Sequence, residues 1–391
     1  MDVNPAMLKI GAGGLVPPFR VMDVIAKANQ LQSSLPPGAP KILRMESGQP
    51  GTGLPEGARL AVAAALQSGN PMGYTEAMGR PSLRARIATH MQDWYGVTLP
   101  PERIAVTFGA SGAFPLAFLS AFNPGDSIAL AAPYYPPYVN IMQALGIHPL
   151  ILPCGPNTSF QPSIAMLESL PQPPDGLLIA SPANPTGSML APEDLQALAE
   201  YCTARGIRLI SDEIYHGLTY GKPVASAAQF SSSAIIINSF SKYFSMTGWR
   251  IGWMVLPEDL IRPAERLAQN FFISAPHISQ IAAQAALDCH AELEANRAAY
   301  AQSREVMITG LRAAGFANFA PPDGAFYIYI DISARAADST AFCARLLDEA
   351  GIATTTGYDF DADQGGRFLR MSYCSPLPDI EEAITRLCRI G

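Results

Sequence analysis

Residues 234–252 read Ala-Ile-Ile-Ile-Asn-Ser-Phe-Ser-Lys-Tyr-Phe-Ser-Met-Thr-Gly-Trp-Arg-Ile-Gly. Ala234–Ile237 is a continuous apolar run, as expected of a strand buried on both faces, and it leads into Ser239-Phe-Ser241-Lys242. A lysine directly after a buried strand of an open α/β sheet sits at the edge where ligands bind. Burial and nearby positive charge lower the pKa of such a lysine and free its amine for Schiff-base chemistry with a carbonyl. Arg250, eight residues on, offers a guanidinium that can hold a phosphate.

Working outward, similar short apolar runs recur at Ile104–Phe108, Ser127–Ala131, Pro149–Leu152, Leu177–Ala180, Ile207–Ile210 and Ile251–Val255. Helical stretches such as Ser82–Trp94 and Pro192–Ala204 separate most of them. This alternation predicts a three-layer αβα domain on a mainly parallel sheet, with right-handed crossovers between strands. A long helical region from Leu260 to about Ala314, broken near Ala275–Pro276 and near residue 290, leads into short strands at Ala325–Asp331 and Phe368–Ser372, with helices at Thr340–Glu349 and Ile380–Cys388. The expected organisation is an N-terminal arm and helix over 1–45, a large α/β domain over 46–289 and a smaller α/β C-terminal domain over 290–391. The arm, with a helical piece near Phe19–Gln32, is expected to join the C-terminal part.

Three other strand ends carry chemistry-bearing residues. Ser211-Asp212-Glu213-Ile214-Tyr215 follows the run Ile207–Ile210, and an acid buried there is costly unless paired. Ser181-Pro-Ala-Asn184-Pro-Thr-Gly187 follows Leu177–Ala180 and reads as a turn whose Asn184 side chain can bond a ligand oxygen. Thr107-Phe-Gly109-Ala110-Ser111-Gly112 reads as strand, small-residue turn and helix start, where backbone N–H groups make an anion site. It is neither a dinucleotide fingerprint nor a P-loop. Taken singly, the Asp212 segment reads equally as a solvated loop acid, the Asn184 segment reads first as an ordinary turn, and the Thr107–Gly112 segment decides little.

Order and spacing join them: 28 residues separate Asn184 from Asp212, and 30 separate Asp212 from Lys242. With this pattern the chain resembles the fold-type I pyridoxal-phosphate-dependent aminotransferases of class I/II, from Gly48 to Arg370 and beyond. The resemblance implies pyridoxal 5'-phosphate as cofactor. Lys242 would form the aldimine with its aldehyde and serve as the general base, and Asp212 would face the pyridinium nitrogen. Tyr215 and Asn184 would bond the ring oxygen, and Tyr135 would stack on the ring, with Tyr134 as the alternative; many relatives carry Trp there. The backbone of Ala110 with Ser111, Ser239 and Arg250 would hold the phosphate. Tyr74, in Gly73-Tyr-Thr-Glu-Ala-Met-Gly79, would reach the phosphate of a neighbouring subunit, which implies a homodimer with shared active sites. Arg370 would grip the substrate α-carboxylate, and Gly48, with Asn184, would border the substrate. The implied activity moves an amino group between an L-amino acid and a 2-oxo acid. His216, beside Tyr215, reads as structural because Lys242 already fills the acid–base role.

Composition excludes other classes. The chain has 391 residues and a formal net charge of −7, with no basic run for nucleic acid. No apolar stretch approaches a bilayer span, and residues 1–10 lack a secretory leader pattern, so a soluble, cytoplasmic protein without membrane partners is expected. The six cysteines show no CxxC pair and are expected to be free buried thiols; no metal site is expected. A C–S lyase or other β-eliminating enzyme of the same fold shares the same residues and is the rival reading. A cofactor-sensing regulator would need a DNA-binding module for which the chain leaves no room. Dicarboxylate-using relatives need a second cation, and where one subgroup has Lys this chain has Ser111. Arg20, Arg44 and Arg262 are the unplaced cations, while Pro17, Pro18 and Phe19 suggest an apolar side-chain pocket.

Overall fold

The computed structural model describes residues 8–390; the first seven residues of the expected arm lie outside the described part. The strands are β1 (Leu43–Arg44), β2 (Ile104–Thr107), β3 (Ser127–Ala132), β4 (His148–Pro153), β5 (Gly176–Ala180), β6 (Arg208–Asp212), β7 (Ile235–Ser239), β8 (Gly252–Val255), β9 (Tyr327–Asp331), β10 (Ile352–Ala353), β11 (Thr355–Thr356) and β12 (Phe368–Ser372). A seven-stranded sheet runs in the order β2-β8-β7-β6-β5-β3-β4. Every strand predicted for the large domain belongs to it.

Its strands are apolar on both faces because both faces are covered. In β7, Ile236 packs into one apolar cluster, while Ile235 and Ile237 pack into the other. Helix Gly109–Ala121 lays Phe114, Ala117 and Phe118 on the second face, and helix Pro192–Arg205 lays Leu195, Leu198 and Cys202 on the first. Each fully buried isoleucine of β7 contributes about 1.5–3 kcal/mol relative to exposure.

One expectation needs correction. Strand β8 runs antiparallel to both β7 and β2, so not every connection is a crossover. The link from Ser239 to Gly252 is a compact loop with one short 3-10 turn at Thr247–Trp249. A parallel return requires a longer crossover, usually through a helix. The cysteines also differ from expectation: all six are unpaired, but Cys154 and Cys289 are half-buried and Cys388, just past the last helix, is exposed.

The long helical region is three helices, Glu258–Phe271, His277–Ala286 and His290–Ala313, with breaks where Pro276 and residue 290 predict them. Beyond it, β11, β12 and β9 form an antiparallel sheet, and β1 pairs in parallel with β10. Ser372 N–H also donates to the Met45 carbonyl at 2.7 Å, which ties the segment following β1 to that smaller sheet. Helix Val21–Ser34 packs Ala28 against Ile42, Leu347 and Ala353. Among the described residues, no helix is long and apolar enough to cross a membrane.

Asp359 closes the start of helix Val21–Ser34, its carboxylate accepting from the Arg20 and Val21 N–H groups at 3.2 and 2.9 Å. First-turn amides have no partner within their own helix, so this acceptor replaces water. Asp359→Ala is expected to weaken the helix start by about 1 kcal/mol, speeding amide hydrogen exchange of its first turn roughly fivefold. Unchanged exchange would mean that another group holds the helix.

Candidate active site

The carboxyl ends of β5, β6 and β7 deliver the signature residues to one place. Register sets Ala180 beside Asp212, Asp212 beside Ile237, and Ser239 beside Gly252, which in turn lies beside Thr107 of β2. Asn184, Tyr215, Tyr135, Ala110, Ser111, Ser239, Lys242, Arg250, Gly48 and Arg370 all border one cavity of about 300 Å³. Asp212 lies one layer behind that wall. Tyr134 borders a separate, smaller cavity, so of the two adjacent tyrosines Tyr135 faces Lys242's space. Tyr74 is not brought to this cavity within the chain; it is 84 % exposed.

Lys242 Nζ donates to the Gly48 carbonyl at 2.7 Å and lies 5.7 and 5.8 Å from the ring centres of Tyr215 and Phe326. Desolvation lowers its pKa to about 8; the Arg370 and Arg250 cations push the same way, and the Cys374 thiol and Asp212 oppose them. Asp212 is buried and its Oδ1 accepts from Ile214 N–H at 3.1 Å, while Oδ2 takes the Tyr138 hydroxyl. Burial raises its pKa to about 6, with both hydrogen bonds and Lys242 restraining the rise. The site therefore holds a readily deprotonated amine and, behind it, a carboxylate that gains from a cationic partner.

At one end lies an anion cradle. Helix Gly109–Ala121 points its first N–H groups toward the cavity wall, and Ser111, Ser239, Ser241 and Thr247 line it. Arg250 adopts a left-handed backbone, φ 51°, which aims its guanidinium at Ser111 Oγ, 3.4 Å away. A side chain on Gly109 would come within 2.9 Å of that guanidinium, and Gly109 itself has φ 65°.

At another side, Arg370 is buried. Nη1 donates to Asn184 Oδ1 at 2.8 Å and Nη2 to the Glu46 carbonyl at 2.7 Å, while Nε has no partner. Its guanidinium carbon lies 4.4 Å from the Tyr327 ring centre and 4.8 Å from that of Phe360. A planar cation with an unsatisfied N–H suits a carboxylate.

The third side is apolar. Phe19, Val21, Met22 and Ile25, from the arm and the first turns of its helix, line the cavity. Of the three cations left unplaced by the sequence, Arg44 pairs with Glu46 and Asn29, Arg262 pairs with Glu265, and Arg20 leans over Tyr358. None of them lines the cavity. His216 is held in a buried network instead, between the Tyr95 hydroxyl at 2.7 Å and the Ser181 carbonyl at 3.0 Å. Burial lowers its pKa to about 4. Sequence reasoning missed Tyr138, Tyr327, Met22 and Ile25 as wall residues. Tyr138 stands three places after Tyr135 in Pro133-Tyr-Tyr-Pro-Pro-Tyr138, a spacing that could have placed both on one face of the helix beginning there. Tyr327 gave no comparable signal, since its placement depends on pairing between β9 and β12.

Comparison with known proteins follows the same lines. Residues 40–387 match the family described as aminotransferase class I and II. The chain is 47 % identical, over 95 % of its length and 96 % of the relative's, to valine–pyruvate aminotransferase of Mycobacterium tuberculosis. The crystal structure of an aminotransferase from the same organism superposes with a TM-score of 0.95 at 46 % identity, covering 98 % of this chain and 99 % of that one. The aspartate aminotransferase of Thermus thermophilus with maleate gives 0.92 at 29 % identity, covering 98 % of this chain and all of the other.

Lys242 is expected to lose its proton near pH 8, not near 10.5. Labelling with an amine-acylating reagent, read at this residue by mass spectrometry, should rise through that lower pH; a midpoint above 10 would contradict the desolvation argument. The unfolded chain keeps the proton longer, so this group's contribution to stability grows as pH rises from about 8 to 10.5.

Proposed function

Because the chain belongs to the class I and II aminotransferases, we propose that pyridoxal 5'-phosphate, bound at Lys242, serves its reaction and that apolar monocarboxylic amino acids are its donors. The chain is an aminotransferase, moving an amino group between an amino acid and a 2-oxo acid. The observation that carries the proposal is the separation of three cations around one cavity: Lys242, Arg250 in the anion cradle, and Arg370 with its free N–H.

The residues suit that cofactor. A cradle with no room for side chains at Gly109 and Gly252 fits a phosphate, held by Ser111, Ser239, Arg250 and the Ala110 N–H. An amine at Lys242 whose pKa desolvation lowers to about 8 fits an aldehyde, and a buried carboxylate at Asp212 fits a protonated ring nitrogen. Asn184 and Tyr215, on the cavity wall, would bond the ring oxygen, and Tyr135 would cover the ring. When bound, the cofactor supplies an electron sink for charge that builds at the substrate α-carbon.

This chain's residues do the rest. Arg370 takes the α-carboxylate bidentately and so fixes where the α-carbon lies. Lys242 Nζ would hold the cofactor at rest and, once free, would act as the base that takes the substrate's α-proton and passes it to the acceptor carbon. Asp212 would pair with the protonated ring nitrogen. Gly48 lets the backbone close over the substrate, because a Cβ there would stand 1.9 Å from the Tyr327 hydroxyl.

The donor class follows from the third wall. Phe19, Val21, Met22 and Ile25 offer apolar contact, and the cavity's three cations all have other work. A distal carboxylate would be buried beside Glu46 without a partner. A relative named for valine and pyruvate is consistent with this wall. We also read the protein as a cytoplasmic homodimer, its large part spanning 46–289 and its smaller part 290–391 with the arm. Exposed Tyr74, Phe271 and Ile273 support the dimer, and the segments bearing them are joined by the Thr75 N–H to Ser274 hydrogen bond. The six unpaired thiols support the location.

The test adds single L-amino acids to cofactor-loaded protein without an acceptor and assays 2-oxo acid, ammonia and sulfide. Valine, alanine or other apolar donors should give stoichiometric oxo acid with kcat/KM at least about tenfold above aspartate, the value of one uncompensated buried charge contact. Catalytic ammonia or sulfide release would overturn transamination in favour of elimination, and preference for aspartate would overturn the pocket. Lys242→Ala should abolish turnover while cofactor still binds through its phosphate. Asp212→Asn should lower the rate at least about a hundredfold, as removal of a charge that meets the reacting system does.

A further inference from the structure

The reaction outlined above leaves the wall residue Tyr327 without work. Tyr327, at the start of β9, is 1 % exposed, and its hydroxyl has a single partner, the Tyr215 hydroxyl at 2.9 Å. Its ring face carries the Arg370 guanidinium at 4.4 Å. The Arg370 contact lies within the small antiparallel sheet, where Arg370 sits opposite Tyr329 and Tyr327 is its diagonal neighbour on the same face, while the Tyr215 contact reaches across to the segment after β6. One side chain thus touches the residue that faces the cofactor and the residue that faces the substrate carboxylate.

Either hydroxyl can donate across this contact. Each tyrosine has one hydroxyl proton, so a Tyr215 hydroxyl that gives its own to a ligand in the cavity accepts from Tyr327. The same logic orients Asn184. Its Oδ1 is occupied by Arg370 Nη1, so its NH₂ group is the end left for a ligand. Two donors are thereby presented side by side, each held by a group from the smaller sheet.

We propose that Tyr327 is a positioning residue, fixing the Tyr215 hydroxyl as a donor toward the cofactor's ring oxygen with its own hydroxyl and holding Arg370 flat for the substrate carboxylate with its ring. This rests on the roles given to Lys242, Tyr215 and Arg370 above. The two functions are separable because one uses the oxygen and the other the ring. A donor that is itself donated to is strengthened, so the Tyr327 hydroxyl favours the form of the cofactor with negative charge on the ring oxygen. The charged and titratable groups facing this pair and Lys242 are Arg370, Arg250, Asp212, Cys374 and Tyr135. They are unchanged when only the Tyr327 oxygen is removed.

The experiment compares wild type, Tyr327→Phe, Tyr215→Phe and the double variant, each reconstituted with pyridoxal 5'-phosphate. The readouts are the pH midpoint of the visible absorbance band without amino acid, and kcat and KM of the half-reaction with L-valine. Tyr327→Phe should raise the midpoint by about half to one pH unit, the size of one hydrogen bond. It should lower kcat several-fold and leave KM within about twofold, because the stack on Arg370 remains. In the Tyr215→Phe background, Tyr327→Phe should add no further shift. Tyr327→Leu, lacking the ring as well, should also raise KM about fivefold, as loss of a buried cation–π contact does. A Tyr327→Phe midpoint equal to wild type, or shifts that add in the double variant, would overturn the proposal while the cofactor assignment stands. Absence of a visible band in wild type would instead overturn the cofactor assignment, and this inference with it.

Discussion

The hydrogen bond from Lys242 Nζ to the Gly48 carbonyl closes a span of 194 residues. The lysine belongs to the end of a seven-stranded sheet; the carbonyl belongs to a segment tied to the C-terminal part of the chain by the β1–β10 pair and by Ser372 of β12. Nearly every other feature of the cavity depends on this meeting of two sheets. It brings Arg370 within reach of Asn184, and Tyr327 within reach of Tyr215. It also makes glycine obligatory at 48, since Tyr327 fills the space a side chain would take.

Bringing those groups together in a dry place has an electrostatic cost that the site turns to use. Desolvation disfavours the charged form of every buried group. Lys242 responds by releasing its proton more readily, and Asp212 by holding one more tightly. The Arg370 guanidinium meets an amide oxygen, a backbone carbonyl and two aromatic faces. The Glu213–His216–Tyr95 network beside the DEIY segment shows the opposite outcome: burial drives His216 toward the neutral form, and its ring nitrogens serve only to bridge Tyr95 and Ser181. Proximity to the motif in sequence did not make that histidine part of the cavity.

Much of this was legible before any coordinates. Apolar runs of four or five residues located all seven large-sheet strands because strands buried on both faces cannot alternate. The motif residues were legible because the ends of parallel strands converge on one edge, so spacing along the chain mapped directly onto proximity. The direction of β8 was not legible, since an apolar run reads the same both ways and only the length of the connection decides it. Tyr138 and Tyr327 were likewise hidden. Their importance lies in what their hydroxyls meet, Asp212 and Tyr215, and neither partner is near them in sequence.

By itself, then, the sequence determined the α/β layering, the family, and most of the motif residues that border one cavity, because those properties are carried by local patterns and by fixed spacings between strand ends. Tertiary structure alone decided that Tyr135 and not Tyr134 faces the cavity, that Arg20, Arg44 and Arg262 stay outside it, and that Met22 and Ile25 of the arm form its apolar wall. These are matters of which side of an element turns inward and which distant segment packs against it. They are settled by packing between parts of the chain far apart in sequence, and such contacts leave no periodicity to read.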